Sequence, residues 1–227
     1  MGESIELVIF DLDGTLVDAY PAIVESFNFA MRKMGLPLRH PSVIRRAVGW
    51  GDQNLLKPFV APELLTKALL FYRKHHTASL KRGTRFLPGA RAALAFLQRK
   101  GYKLAVASNR PTKFSHIILK HLKIKNNFDY ILCGDKVDKA KPHPEILHRI
   151  LKKLSVKPAE ALYVGDMTVD VEAGNRAGVK TVAVLTGSST KRELGRLKPY
   201  KIIGKIGELK TILNQINGKI VKERKFQ

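Results

Sequence analysis

Leu7 to Phe10 is an unbroken apolar run, and two carboxylates, Asp11 and Asp13, follow it directly with Gly14 behind them. Such a run reads as a strand buried on both faces, turned by the glycine at its carboxyl end. Further along, runs of this kind alternate with stretches of helical spacing. Gly89 to Lys100 places Ala92, Ala93, Phe96 and Leu97 at helical intervals and stops at Gly101, after which Lys103 to Ala107 predicts a strand that delivers Ser108 and Asn109. Thr112 to Leu122 predicts a helix and Tyr130 to Leu132 a strand. Pro144 opens a helix whose apolar stripe is Ile146, Leu147, Ile150, Leu151 and Leu154. Ala161 to Val164 predicts the strand before Asp166, a helix through Ala173 and Ala177 ends at Gly178, and Thr181 to Leu185 is the next strand. Tyr200 to Ile203 reads as a last strand and Leu209 to Ile216 as a closing helix.

One long interval lacks this alternation. After Asp18, which can cap the next helix, Pro21 to Met34 has apolar residues at Ile23, Val24, Phe27, Ala30, Met31 and Met34, ended by Gly35. Shorter helical patterns follow at Val43 to Val48 and Asn54 to Phe59, and a longer one runs from Glu63 to about Thr77. Nothing from Ala19 to Arg82 reads as a strand. The expected organisation is therefore a core over residues 1–18 and 83–217, a small all-helical cap domain over 19–82, and a basic carboxyl-terminal tail over 218–227. Hinges are expected near Leu16 to Ala19 and Lys81 to Phe86.

Buried strands alternating with helices predict an α/β fold, a parallel sheet with helices on both faces. Sheets of that class bind ligands beyond the carboxyl ends of their strands. Asp11, Ser108 and Asp166 all fall at or just past such ends, and Asp11 and Asp13, two residues apart on a strand, share a face. Two carboxylates held that close call for a cation beside them. A calcium loop is excluded by spacing, because glycine comes fourth and Ala22 stands where the bidentate glutamate belongs.

The chain of 227 residues is long enough for one large domain or two modest ones. No apolar run has the length of a membrane span and the amino terminus enters its first strand with no signal peptide before it, so a soluble, cytoplasmic protein is expected. The single cysteine, Cys133, excludes an internal disulfide and reads as structural. Charge is the odd feature: 41 Lys and Arg against 19 Asp and Glu leave a formal +22. Such a surface attracts anions from small phosphates to nucleic acid and anionic membranes. The basic residues are spread along the chain and the densest stretch, Lys219 to Lys225, is interrupted by Glu223, so a solvated basic surface is favoured over a dedicated nucleic-acid or anionic-surface partner.

Asp11-Leu12-Asp13-Gly14-Thr15, then Ser108-Asn109, Lys141-Pro142, and Gly165-Asp166 with Asp170 together resemble the four motifs of the haloacid dehalogenase-like superfamily, over about Ile5 to Leu213. The resemblance implies a Rossmann-like core with a helical cap that closes over the site, and phosphoryl chemistry with Mg2+. It implies Asp11 as nucleophile through an aspartyl-phosphate, Asp13 as general acid and base, and Ser108, Asn109 and Lys141 as holders of the phosphate. The ion would be held by Asp11, Asp166 and the main-chain carbonyl of Asp13, with Asp170 orienting a water on the metal or the lysine. Met167 departs from the small hydroxyl residue that many relatives carry. Asp13 itself favours phosphoryl transfer, since relatives that cleave carbon-halogen or carbon-phosphorus bonds lack it.

The layout is similar to phosphoglycolate phosphatase-like enzymes, which implies hydrolysis of a small phosphorylated metabolite. A sugar phosphomutase or pyrophosphatase, and from another class a basic polyanion binder that keeps the fold, are the alternatives. Within the cap, Arg45, Arg46, Gly49 and Trp50 are the candidate substrate-facing residues, with solvated helix arginines as the competing reading. Gly49-Trp50-Gly51 is not a dinucleotide fingerprint, because Asn54 replaces the third glycine. The pairs His116 and His121, and His143 and His148, are five apart and His75 and His76 are adjacent, so no histidine pair has the spacing of a zinc site.

Overall fold

The computed structural model describes residues 4–225, with side chains described through residue 218. Its strands are β1 (Leu7–Phe10), β2 (Val17–Asp18), β3 (Arg85–Phe86), β4 (Lys103–Ser108), β5 (Tyr130–Cys133), β6 (Ala161–Gly165), β7 (Lys180–Val184) and β8 (Lys201–Ile203). Its α-helices are α1 (Tyr20–Lys33), α2 (Pro41–Ala47), α3 (Asp52–Leu56), α4 (Leu65–Gly83), α5 (Ala90–Arg99), α6 (Thr112–His121), α7 (Glu145–Leu154), α8 (Thr168–Ala177), α9 (Lys191–Arg196) and α10 (Leu209–Lys225). The tail expected over 218–227 overlaps the end of α10, and its side chains from residue 219 on lie outside the described residues.

Six strands form one parallel sheet in the order β5-β4-β1-β6-β7-β8. The fold is α/β with helices on both faces. Alternate residues of β1 point to opposite faces: Val8 and Phe10 join the core packed against α5, α6 and α10, whereas Leu7 and Ile9 join the core packed against α7 and α8. Burial on both sides is why these strands read as continuous apolar runs. After β1 the chain builds outward through β4 and β5, then returns to the other side of β1 with β6. That reversal puts a crevice at the carboxyl end of β1, where ligands of open α/β sheets bind.

The segment between β2 and β3 carries α1 to α4 and has its own apolar cluster, with Phe27, Met31, Ile44, Leu56 and Ala68 fully buried. The two connections expected as hinges pair with each other, Val17 opposite Phe86 and Asp18 opposite Arg85, as a short antiparallel ribbon. Asp18 Oδ1 accepts from the Tyr20 amide at 3.2 Å at the start of α1. In α5 the inward face is Ala93, Leu94 and Leu97, and Ala92 is exposed, one position round from the expected stripe.

Candidate active site

The Asp11 amide donates to the Val164 carbonyl at 2.9 Å, so the β1 ladder extends one residue and its carboxylate leaves the sheet at the crevice. Ser108 ends β4, Asp166 follows β6, and Lys141 arrives on the loop before α7; all are buried. Lys141 Nζ donates to Asp11 Oδ1 and Asp170 Oδ1 at 2.8 Å and to the Ala107 carbonyl and the Tyr163 hydroxyl at 2.9 Å. An ammonium has three hydrogens, so its donors are fully committed. Asp170 is fixed from three sides: Tyr163 donates to Oδ1 at 2.7 Å, and the amides of Asp166 and Met167 donate to Oδ2 at 3.1 and 2.9 Å. Asn109 clamps the backbone of Lys141, accepting from its amide at 2.9 Å and donating to its carbonyl at 3.0 Å.

Asp11, Asp166 and Asp170 each bring a carboxylate oxygen within 4.8 Å of the others. Three carboxylates face one ammonium, and the excess negative charge shows in the titration of Asp11 and Asp166. Burial, with the charge of Asp170 added, pushes Asp11 up to about 7 against the pull of Lys141. Burial and the charges of Asp170 and Asp11 raise Asp166 well above the carboxylate range. Burial alone would lower Lys141, yet Asp11 and Asp170 hold it above its ordinary value, so the lysine stays charged.

The remaining imbalance is what a cation corrects. Thr15 Oγ1 donates to Asp166 Oδ1 at 2.9 Å, while Asp166 Oδ2 is buried with no partner among the described residues. Gly14, at φ +80, and Gly187 both press against that oxygen, and a Cβ on either would overlap the Asp166 carboxyl group. A buried, unpartnered carboxylate oxygen amid other carboxylates fits a hard divalent ion with oxygen ligands.

Asp13 lines the same cavity as Asp11 and Ser108. Its Oδ2 accepts from Arg110 Nε at 2.8 Å, and its Oδ1 is buried without a partner among the described residues. Arg110 Nη1 in turn lies 2.7 Å from His76 Nε2 on α4, and His76 Nδ1 lies 3.0 Å from Ser26 Oγ on α1. Burial, reinforced by the charge of Arg110, pushes His76 down to about 2, so the imidazole is neutral and Nε2 accepts. This hydrogen-bonded row joins the helical segment to the core.

Of the cap candidates, Gly49 lines the cavity and its carbonyl accepts from Asn109 Nδ2 at 2.9 Å. The other three are placed elsewhere. Arg45 donates to the carbonyls of Thr186 and Gly187 at 3.0 and 3.3 Å and lies over the Tyr20 ring. Arg46 donates to the Ser188 carbonyl at 2.5 Å and pairs with Glu193 at 2.7 Å. Both arginines dock the helical segment onto the loop after β7, and Trp50 is 44% exposed. Neither arginine lines the cavity, and the carbonyls they meet are more than a hundred residues away in sequence.

A haloacid dehalogenase-like hydrolase family model matches residues 8–184, more than half of the chain. The chain belongs to the haloacid dehalogenase-like hydrolases. It is 34% identical to phosphoglycolate phosphatase of Aquifex aeolicus over 80% of this chain and 85% of the relative. It is 29% identical to that of Nitrosococcus oceani over 92% and 97%. Among solved structures, a Haemophilus somnus 129PT protein described as a predicted phosphoglycolate phosphatase superposes with a TM-score of 0.86 at 27% identity, covering 92% of this chain and 97% of that one. No helix among the described residues of the hydrolase is long and apolar enough to cross a membrane.

Residues that the sequence did not single out line this cavity or bond to the groups that do. Tyr163 was hidden in an apolar strand, Arg110 read as one more basic residue, and His76 as half of an adjacent pair. A cavity-facing role for Arg110 had one sequence signal, its position two residues past Ser108 on the loop that β4 delivers. Met167 packs so closely on Gly49 that a Cβ there would overlap its sulfur, which makes the departure at Met167 a contact with the helical segment.

Proposed function

We propose that this hydrolase cleaves a small phosphomonoester, phosphoglycolate or a related phosphorylated metabolite, through an aspartyl-phosphate on Asp11. The observation that carries the reading is the pairing of two carboxylates with opposite surroundings in one cavity. Asp11 is backed by Lys141 at 2.8 Å, and Asp13 keeps Oδ1 without a protein partner. The relatives named phosphoglycolate phosphatase support the substrate class.

In this reading an Asp11 oxygen bonds to phosphorus while the ester P–O bond breaks, and the leaving oxygen takes its proton from Asp13. Water then attacks phosphorus, Asp13 takes the proton that water loses, and the bond to Asp11 breaks to release inorganic phosphate. Ser108 donates its hydroxyl, and Asn109 its backbone amide, to phosphoryl oxygens. Lys141 supplies positive charge behind Asp11, and Asp170 with Tyr163 keeps it aimed. A magnesium ion would be held by Asp11, Asp166 and the main-chain carbonyl of Asp13, and would supply the charge that lets these carboxylates stay ionised beside a dianionic ester. The segment over 19–82 acts as the cap that excludes water from the exchange.

The test is phosphate release from an aryl phosphate with and without Mg2+, in wild type and in Asp11→Asn. Metal-dependent release that disappears in the variant supports the assignment. Release that survives Asp11→Asn rules Asp11 out as nucleophile.

A further inference from the structure

The cavity wall beyond the phosphoryl site is mostly apolar, with Ile23, Val48, Leu55, Tyr72, Phe114 and Val169 facing it. Its cationic lining side chains are Lys141 and Arg110. Lys141 has no donor left, as four protein acceptors already surround three hydrogens. Arg110 differs. Its side chain is 8% exposed, Nε is used on Asp13 and Nη1 on His76, and Nη2 has no acceptor among the described residues. A guanidinium carries five N–H donors, so three remain unused in this arrangement, two of them on Nη2, on a fork held by its two bonds.

The other charged lining residues are unfavourable to an anion: Asp11 and Asp170 bond to Lys141, Asp13 is beside them, and Asp52 lines the wall as well while pairing with Arg73 at 2.7 Å. An anionic group on the substrate, apart from its phosphate, therefore has Arg110 as its available partner. Resting on the phosphatase reading above, we infer that Arg110 is the specificity-determining residue, and that it selects phosphomonoesters carrying a second anionic group, a carboxylate, a short link away from the ester oxygen. The link is short because Arg110 is hydrogen-bonded to the same Asp13 that faces the leaving oxygen. His76 acts as a positioning residue: kept neutral by burial, it accepts from Nη1 and prevents the fork from turning away. A phosphomonoester with no second anionic group leaves the donors of Nη2 without a charged acceptor, and a site built to meet such a group discriminates against the analogue that lacks it.

The experiment compares two esters of the same length, 2-phosphoglycolate and 2-hydroxyethyl phosphate, by kcat/KM in wild type, Arg110→Lys and Arg110→Met. Wild type is expected to favour the carboxylate ester by at least about tenfold, and Arg110→Met to bring that ratio close to one. Arg110→Lys retains the charge without the fork and is expected in between. If Arg110→Met loses both esters equally, so that the ratio is unchanged, Arg110 only holds Asp13 and the inference fails. It also fails if wild type shows no preference. Binding of phosphonoacetate against ethylphosphonate by calorimetry gives the same comparison without turnover. If neither ester is hydrolysed, the phosphatase reading falls. Preferential binding of phosphonoacetate to wild type, reduced in Arg110→Lys, would still uphold Arg110 as the anion selector, and equal binding would overturn it. Should Arg110→Met not fold, wild type and Arg110→Lys decide alone.

Discussion

Asn109 Nδ2 lies 2.9 Å from the Gly49 carbonyl and binds the helical segment to the loop that ends β4. The same side chain holds both backbone polar groups of Lys141, so one amide fixes the Gly49 loop and the backbone of the catalytic lysine candidate together. Replacing it with alanine leaves buried polar groups unmet, and a buried group without a partner costs about 1–3 kcal/mol. Asn109→Ala is expected to lose stability of that order in chemical denaturation and to lose kcat as well as KM. A variant that lowers stability alone would show that the clamp has no part in turnover.

Arg45 and Arg46 act at a second junction. They meet the loop of Thr186 to Ser188, and Gly187 of that loop presses on Asp166. Anything that loosens the junction frees the loop over a carboxylate that the proposed chemistry needs in place. The double variant Arg45→Ala/Arg46→Ala is expected to lower kcat/KM by roughly tenfold, one transition-state hydrogen bond's worth, although neither residue lines the cavity. Because the Arg46–Glu193 pair is exposed, raising salt should weaken wild type toward the variant. Unchanged kinetics in the double variant would make the junction purely architectural.

Asp166 gives a sharper expectation. With no divalent ion its buried charge is opposed by Asp170 and Asp11, so Asp166→Asn should be more stable than wild type in chelator, Thr15 retaining an acceptor. Added Mg2+ should raise the wild-type Tm by several degrees, since saturation at a hundredfold over Kd stabilises by about 2.7 kcal/mol, and should leave Asp166→Asn nearly unmoved. The order of stability therefore reverses on adding metal. A thermal-shift series in which both proteins respond alike would remove Asp166 from the ion site.

The architecture and the motif carboxylates were legible because their signals are local. Buried strands such as Leu7 to Phe10 announce themselves by an apolar run, and Asp11, Ser108 and Asp166 stand at or just past strand ends, whereas Lys141 is marked only by the motif resemblance. The ribbon of β2 and β3 has two residues in each strand, too few for any periodicity. Helix α9 has one buried apolar residue, Leu194, which leaves no stripe to detect. Arg110 and His76 acquire their contact across 34 residues of chain, and Arg46 its contact across 142, so apart from the place of Arg110 just past Ser108 nothing adjacent to them in sequence marks them. Long-range polar contacts are chosen by the packing of the two units, and packing is not written in any short window.

His76 supplies a pH dependence of stability with a definite sign. It is fully buried on α4 among Arg110, Tyr72, Phe114 and Ser26, and its pKa falls from 6.5 in the open chain to about 2. Between those values the unfolded state binds a proton that the folded state refuses, so this contribution is complete above pH 6.5 and is lost progressively as pH drops toward 2. One group contributes a slope approaching about 1.4 kcal/mol per pH unit. Glutamine at this position still accepts from Arg110 but does not titrate. Unfolding free energies for wild type and His76→Gln, measured from pH 7.5 to 5, should therefore converge as the medium is acidified, with wild type losing more. Parallel curves would mean that the ring takes up its proton in the folded protein, which would break the row that ends at Arg110 Nη1.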